Sequence, residues 1–213
     1  MLSFLDFVKT IDIEVVERTT KEISLSTAPN KTNGELEKYI FGGIEWIVIN
    51  ESDEKILLLS KYIIAHSQFH ADNQGFSWFD NYLHKYLNET FFNRFSDNEK
   101  KGIIYNEDDE GVRYNVFLLR TDEINDHFKN PQDRIARGND GEPISWWLEP
   151  DKKSTNIPYI SETGDIIEGG SPANERLGVR PALWFKKGGI SFTIDNETVN
   201  ESPLADSSPL LVS

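Results

Sequence analysis

The chain has 213 residues, and 36 acidic against 22 basic side chains give it a formal net charge of −14. Nucleic acid and anionic membrane surfaces are disfavoured as partners, because both require clustered Lys and Arg. Cysteine is absent, which excludes disulfides, thiolate nucleophiles and sulfur-ligated metals.

The acidic residues are spread along the whole chain, which favours solubility as their role over mimicry of a nucleic-acid surface. Met1 to Phe7 lack a basic segment and a long apolar run, so they do not resemble a signal peptide. We therefore expect a cytoplasmic protein. A chain trimmed of its signal would look the same, and would place the protein on a phage particle or a cell surface.

Residues 1–38 are predicted to be an N-terminal extension, in which Ile11–Val15 alternates like a half-buried strand. In the compact part, Gly42-Gly43 indicates a turn or bulge. Ile44–Ile49 and Lys55–Ser60 then predict two strands joined as a hairpin, because the residues between them have turn chemistry.

Helix signals occupy the middle of the chain. Ser77–Asp80 resembles a capping box, and it precedes five apolar residues at helical spacing: Phe79, Tyr82, Leu83, Tyr86 and Leu87. Ser96–Glu99 is a better capping box for a short helix that ends near Ile104. Val116–Leu119 predicts a buried strand, and Thr121–Glu123 caps another short helix ending near Phe128.

The last third has the composition of strands and loops. Its predicted elements are a loop over Lys129–Pro143, strands at Ser145–Leu148, Gly178–Phe185 and Ile190–Ile194, a hairpin of Ile157–Ile160 with Asp165–Ile167, and an acidic tail over 196–213. The helices are few and short, and they do not alternate with the strands. We therefore predict one α+β domain over 39–195 with mixed or antiparallel sheets and long loops.

Arg180-Pro181 interrupts an otherwise strand-like segment. Pro181 has no N–H for a sheet ladder, so it belongs at an edge or a bulge. Arg180 lies between apolar neighbours, and we predict that it is buried and organises the core by pairing with a carboxylate or backbone carbonyls. The alternative role for Arg180 is an anion-binding site.

Seven segments follow one another in a characteristic order and spacing along the chain. They are Phe41–Val48, Lys55–Ser60, Tyr86–Asn88, Phe91–Lys100, Val116–Leu119, Trp146–Leu148 and Gly178–Trp184. Together they resemble an uncharacterised bacterial domain family common in Firmicutes and their mobile elements. The resemblance implies a C-type-lectin-like fold, shared with formylglycine-generating sulfatase-modifying enzymes and with variable ligand-binding proteins of diversity-generating retroelements. The chain departs from the family pattern after Trp-Trp-Leu and before Gly178, so no ligand is carried over.

Glu149-Pro150-Asp151 is similar to the Glu-Pro-Asn tripeptide by which sugar-binding C-type lectins hold calcium. The companion Trp-Asn-Asp motif is missing. We expect no cofactor and a solvated acidic turn here, with calcium as the alternative. His66 and His70 have a spacing that would suit zinc on a helix, but the segment follows a strand, so two loop histidines are the preferred interpretation. His84 and His127 are expected at the surface.

Binding residues are predicted in the loop region 149–176 and beside it. Neighbouring residues of a strand point to opposite faces, so one of Trp146 and Trp147 is expected in the core, and the other, if exposed, is a binding platform. Glu149, Asp151 and Tyr159 complete the predicted ligand-binding set. Structural roles are predicted for three further residues: Trp46, Arg180 and Trp184.

Catalytic signatures are missing: the chain has no Gly-x-Ser-x-Gly elbow, no Walker A loop and no Gly-x-Gly-x-x-Gly. The sulfatase-modifying relatives depend on cysteines, so their chemistry is excluded. The favoured hypothesis is a non-catalytic recognition module for a protein or a glycan. The alternatives are a hydrolytic enzyme with a carboxylate-based site, which a buried pair of acids with shifted pKa values would favour, and an acidic decoy or inhibitor encoded by a mobile element.

Overall fold

The computed structural model describes residues 14–15, 38–71, 78–79, 81–108, 111–151 and 154–187. Its strands are β1 (Glu14–Val15), β2 (Lys38–Phe41), β3 (Ile44–Glu51), β4 (Lys55–Ser60), β5 (Ala65–Gln68), β6 (Ile103–Ile104), β7 (Asn106–Glu107), β8 (Arg113–Tyr114), β9 (Val116–Phe117), β10 (Ala136–Arg137), β11 (Pro143–Ile144), β12 (Trp146–Trp147), β13 (Asn156–Ile160), β14 (Ile166–Pro172), β15 (Arg176–Val179) and β16 (Ala182–Lys186).

The helices are short. They are α1 (Tyr82–Lys85), α2 (Asp97–Gly102), α3 (Thr121–His127) and α4 (Pro131–Arg134). Helix α1 continues into a π-helical turn over Tyr86–Phe91 and a 3₁₀ turn over Phe92–Arg94. No helix among the described residues combines the length and the apolar character that crossing a bilayer requires.

Two larger sheets carry the fold. The first has the strand order β1-β5-β15-β12-β13-β14, and the second has the order β2-β3-β4-β16-β6, with β9 also paired to β16. Among the described strands, β12 and β15 run parallel and the other strand pairings are antiparallel. The predicted α+β class with mostly antiparallel sheets and short helices is confirmed at this level.

The segment around Arg180-Pro181 differs from its prediction. Instead of one strand over Gly178–Phe185, β15 ends at Val179 in the first sheet and β16 begins at Ala182 in the second. Pro181 lacks an N–H, and here none is needed, because the chain passes between sheets at this point. Its carbonyl accepts a 2.9 Å hydrogen bond from the Ser60 N–H of β4.

Several local predictions are confirmed. The hairpins β3–β4 and β13–β14 form, and the turn residues Gly42 and Gly43 have φ values of 59° and 72°, which glycine adopts readily. The Ser96–Glu99 capping box begins α2, as predicted. The helix predicted after Thr121 is α3, although its N-cap is Arg120.

Other predictions are wrong or lie outside the described residues. Lys129–Pro143 is not a plain loop, because it contains α4, β10 and the start of β11, and β10 and β11 form a small two-stranded sheet. Ser77 and Asp80 of the predicted capping box, the strand at Ile190–Ile194 and the tail over 196–213 lie outside the described residues, and the N-cap of α1 is Asn81. Of the N-terminal extension, β1 is described before Lys38, and it pairs with β5.

Candidate functional site

A pocket lies where the start of α3 meets the second sheet. Its cavity volume is about 120 Å³, and it is lined by Asn106, Tyr114, Phe117, Arg120, Glu123, Glu149 and Trp184. We call it the Glu149 pocket. Charged, amide and aromatic side chains converge on this small, mostly polar concave space.

Local and non-local pairing together build its charged wall. Arg120 is the N-cap of α3, and its backbone N–H donates a 2.9 Å hydrogen bond to Glu123 Oε2, which places these two side chains one turn apart. A parallel β-bridge then pairs Arg120 with Glu149, and the Glu149 N–H donates to the Leu119 carbonyl at 3.0 Å. The bridge brings Glu149 to the cap of a helix about 30 residues away.

The facing wall comes from β7, β8, β9 and β16. Asn106 and Tyr114 are direct cross-strand partners in the β7–β8 pair. The Asn106 Nδ2 is buried and has no hydrogen-bond partner in the structure. A buried amide donor without an acceptor is costly, so this atom is suited to an acceptor supplied by a ligand or by water.

Trp184 forms the aromatic part of the same wall. It is half-buried on β16, and the Lys55 Nζ lies 4.0 Å from the centroid of its ring. Sequence analysis predicted a structural role for Trp184. The structure places it in the pocket lining as well.

Burial dominates the electrostatics of Glu149. It raises the pKa of this carboxyl to about 8; the positive charge of Arg120 opposes the rise, while Glu123, Asp151 and Asp122 add to it. At pH 7 the side chain is therefore protonated and able to donate as well as accept a hydrogen bond. Burial also raises the pKa of Glu123, against the hydrogen bond and charge from Arg120.

Arg120 is the cation of the pocket. Burial lowers its pKa, but the acidic side chains of Asp122, Glu123, Glu149 and Asp151, all ionised at the high pH where an arginine titrates, outweigh that effect and raise it overall. The guanidinium Nη2 lies 3.3 Å from Asp122 Oδ2, and both side chains are about half exposed or more, at 46% and 63%. Arg120 therefore stays charged and keeps access to solvent and to a ligand.

Trp146 and Trp147 are both fully buried at 0% exposure, so neither of them is the exposed binding platform that the sequence left open. Their strand β12 lies between β15 and β13, and it is covered on both faces. The Trp146 indole N–H donates to the Arg134 carbonyl at 3.0 Å, and the Trp147 indole N–H donates to the Ser67 carbonyl at 2.8 Å.

The other predicted binding residues are divided. Glu149 lines the pocket, and the exposed Asp151 lies close enough for its charge to act on Arg120 and Glu149. Tyr159 is half-buried on β13 opposite Trp147, and it is not part of the pocket lining.

Two residues with predicted structural roles lie in the core. Trp46 is fully buried and stacks on Phe41, with ring centroids 5.2 Å apart. Arg180 is 2% exposed, and its Nε donates to the Ser60 carbonyl at 2.9 Å while its guanidinium lies 5.0 Å from the Trp146 ring centroid. Within the described part of the chain, no carboxylate pairs with Arg180.

The histidines lie at separate positions in the described part of the chain. No group of three or more His, Asp or Glu side chains within the described ranges is arranged to hold a metal ion. His66 lies on β5, and the buried His70 stacks on Tyr82 with ring centroids 4.1 Å apart. His84 is 7% exposed, so its expected surface position is wrong: it packs among aromatic rings.

Sequence reasoning missed most of the pocket. Arg120, Asn106, Tyr114 and Phe117 carried no functional signal, and Glu123 was assigned a helix-capping role alone. Glu149 is the pocket residue that the sequence did indicate as a binding residue. A carboxyl group directly after the buried Trp-Trp-Leu strand is expected to be partly buried, and burial shifts the pKa of such a group.

Comparison with known families assigns the chain to one of them. Residues 53–187 match the family described as Domain of unknown function (DUF6273). The match spans more than half of the 213 residues, so the chain belongs to this family of uncharacterised domains. No curated protein and no solved structure matches the chain significantly.

Proposed function

We propose that the chain is a non-catalytic recognition module that holds part of a protein or glycan ligand in the Glu149 pocket. The observation that carries this proposal is the convergence of Arg120, Glu123 and Glu149 with the unpartnered Asn106 amide and the Trp184 ring. The pocket includes Glu149, the first residue of the predicted binding region 149–176.

Within the α+β class, we also assign the domain a particular fold. We propose that the domain is C-type-lectin-like and a distant bacterial relative of formylglycine-generating enzymes and of retroelement variable proteins, encoded on mobile elements. Two mostly antiparallel sheets with short helices between β5 and β10 support this assignment. An experimental structure that superposes on those proteins is the test.

Arrays of glycans and of proteins test the recognition function. The chain is labelled and screened with and without calcium, and each hit is repeated with Arg120→Ala, which removes the charged donor, and with Arg137→Ala as the matched control. Arg137 is exposed on β10, where its Nη1 donates to the Gly141 carbonyl. We expect hits that Arg120→Ala weakens at least tenfold and Arg137→Ala leaves unchanged; hits insensitive to both variants would remove the pocket from the proposal.

A second candidate function is hydrolysis. Glu123 and Glu149 are two carboxyl groups in one pocket, and burial raises the pKa of both, which is the pattern of a general acid beside a second carboxylate. A panel of chromogenic glycosides and esters tests this candidate. Turnover that Glu149→Gln abolishes would establish an enzyme and reject the non-catalytic module.

A further inference from the structure

The Glu149 pocket contains hydrogen-bond donors as well as acceptors. Donors are the Arg120 guanidinium and the buried, unpartnered Asn106 Nδ2. The Glu123 carboxylate is an acceptor, and Glu149 supplies both kinds of bond when it is protonated. A ligand that satisfies this lining must itself both accept and donate.

Charge argues against an ionic ligand. An anion would approach Arg120, but Asp122, Glu123 and Asp151 already surround that guanidinium and would repel a second negative charge. A cation would face Arg120 itself, and an ammonium or guanidinium has no acceptor for the Asn106 amide. Either ion would be desolvated without full compensation.

The size and the polarity of the cavity also bear on the ligand. Trp184, Tyr114 and Phe117 contribute to the lining, but the surface that faces the cavity is mostly polar. A cavity volume of about 120 Å³ has room for a few water-sized groups, which fits the hydroxyl-bearing edge of one small ring.

We propose that the Glu149 pocket binds neighbouring hydroxyl groups on one edge of an uncharged sugar ring. The inference rests on the recognition function proposed above, and it selects the glycan over the protein ligand. Each hydroxyl accepts from Arg120 or Asn106 and donates to Glu123 or Glu149. Binding needs no metal, since every polar contact is supplied by side chains of this chain.

The test uses the full chain with ¹⁵N-labelled tryptophan, and it follows the Trp184 indole N–H resonance, assigned with Trp184→Phe. The probes are the methyl glycosides of glucose, mannose, galactose and N-acetylglucosamine, with acetate, phosphate and butylammonium as ionic probes, all in EDTA. We expect at least one glycoside to shift the resonance saturably, with no saturable shift from the ions. Asn106→Ala should weaken that binding at least fivefold, and the exposed Asn125→Ala should leave it unchanged.

The outcomes separate the two proposals. A saturable shift from an ionic probe without one from the glycosides would overturn the sugar inference and leave the pocket as a recognition site. Silence from all probes, together with an array ligand that depends on Arg120, would do the same. Silence from all probes and no ligand sensitive to Arg120→Ala would overturn both proposals. Glycosides that are silent in EDTA but shift the resonance saturably once calcium is added in excess of the chelator would overturn the metal-free inference alone.

Discussion

Glu149 is a carboxyl group whose position suits a ligand and costs stability. Its pKa is raised from 4.5 to about 8 in the folded chain, mainly by burial. The folded state therefore holds a proton that the unfolded chain releases between these pH values. Stability is full below about pH 4.5, is lost as the pH rises toward 8, and is constant above it.

Glu149→Gln should remove this loss, because glutamine resembles the protonated carboxyl and does not ionise. The melting temperature of the variant should match that of the wild type at pH 5 and exceed it at pH 8. The corresponding difference in the free energy of unfolding should grow by up to about 1.4 kcal/mol for each pH unit between these values. Differential scanning calorimetry at both pH values measures this. Glu142→Gln, at an exposed position, is the control. Equal shifts in both variants would show that Glu149 ionises freely.

His84 has the opposite dependence on pH. Burial, followed by the charge of Lys85, lowers its pKa from 6.5 to about 4, and its Nε2 is buried without a partner next to the rings of Trp78, Phe79 and Tyr114. The unfolded chain takes up a proton near pH 6.5 that the folded chain refuses until about pH 4. Stability is therefore lost as the pH falls through this window.

His84→Phe should flatten the acid side of the stability profile, because phenylalanine fits the aromatic cluster and does not titrate. Urea unfolding at pH 7, 5.5 and 4.5 should show the wild type losing up to about 1.4 kcal/mol per pH unit more than the variant. His127→Phe, at a half-exposed position on α3, should follow the wild type. Parallel profiles for wild type and His84→Phe would contradict the assignment.

At the scale of elements, the side chain of one residue, Glu99, connects the cap of a helix to the turn of a hairpin. Glu99 completes the capping box of α2 by accepting from the Ser96 N–H at 2.6 Å, and its other oxygen accepts from the Gly42 N–H at 2.7 Å in the β2–β3 turn. One carboxylate thus satisfies backbone donors of two elements that are 57 residues apart.

Glu99→Ala should destabilise the domain by about 1–3 kcal/mol, because it leaves a helix cap and a turn amide without their acceptor. Urea denaturation followed by circular dichroism measures the change. Glu89→Ala is the matched control, since Glu89 is exposed on the π-helical turn. A loss no larger than that of the control would show that water replaces the carboxylate at little cost.

Elements that depend on neighbouring residues were predictable, and those that depend on distant contacts were not. The α2 capping box and the β3–β4 hairpin follow from turn and cap chemistry within a few residues. The π-helical turn is held partly by Asn88, whose side chain accepts from the Asn115 and Val116 N–H groups and donates to the Val116 carbonyl. Nothing near Asn88 in the sequence indicates these bonds.

At the scale of the whole molecule, two features depend on distant contacts and could not be predicted from the sequence. They are the Glu149 pocket and the passage of the chain from the first sheet to the second at Arg180-Pro181. Arg120 and Glu149 meet through a β-bridge, Trp184 reaches them from the second sheet, and Asn106 reaches them from the small β7–β8 sheet. The register in which such distant segments pair cannot be read from a single sequence. It does contain the anomaly of Arg180-Pro181, which marked a special position but not the passage between sheets that the structure shows there.

Arg180 holds that passage together. Its Nε donates to the Ser60 carbonyl at the end of β4 in the second sheet, and its guanidinium covers Trp146 in the first. Its Nη1 lies 3.4 Å from the Arg134 carbonyl, which also accepts from the Trp146 indole. Burial lowers the pKa of Arg180 to about 9, so the guanidinium remains cationic at neutral pH.

Arg180→Ala should therefore destabilise the domain by about 2–4 kcal/mol, since it removes the side-chain donor of the buried Ser60 carbonyl and leaves a cavity beside Trp146. The melting temperature should fall by on the order of 10 °C. Arg180→Lys should recover little of this loss, because one ammonium lacks the planar fork that reaches both carbonyls and covers the indole. Thermal unfolding of both variants beside Arg137→Ala decides the matter, and an unchanged melting temperature in Arg180→Ala would show that the two sheets are joined by apolar packing alone.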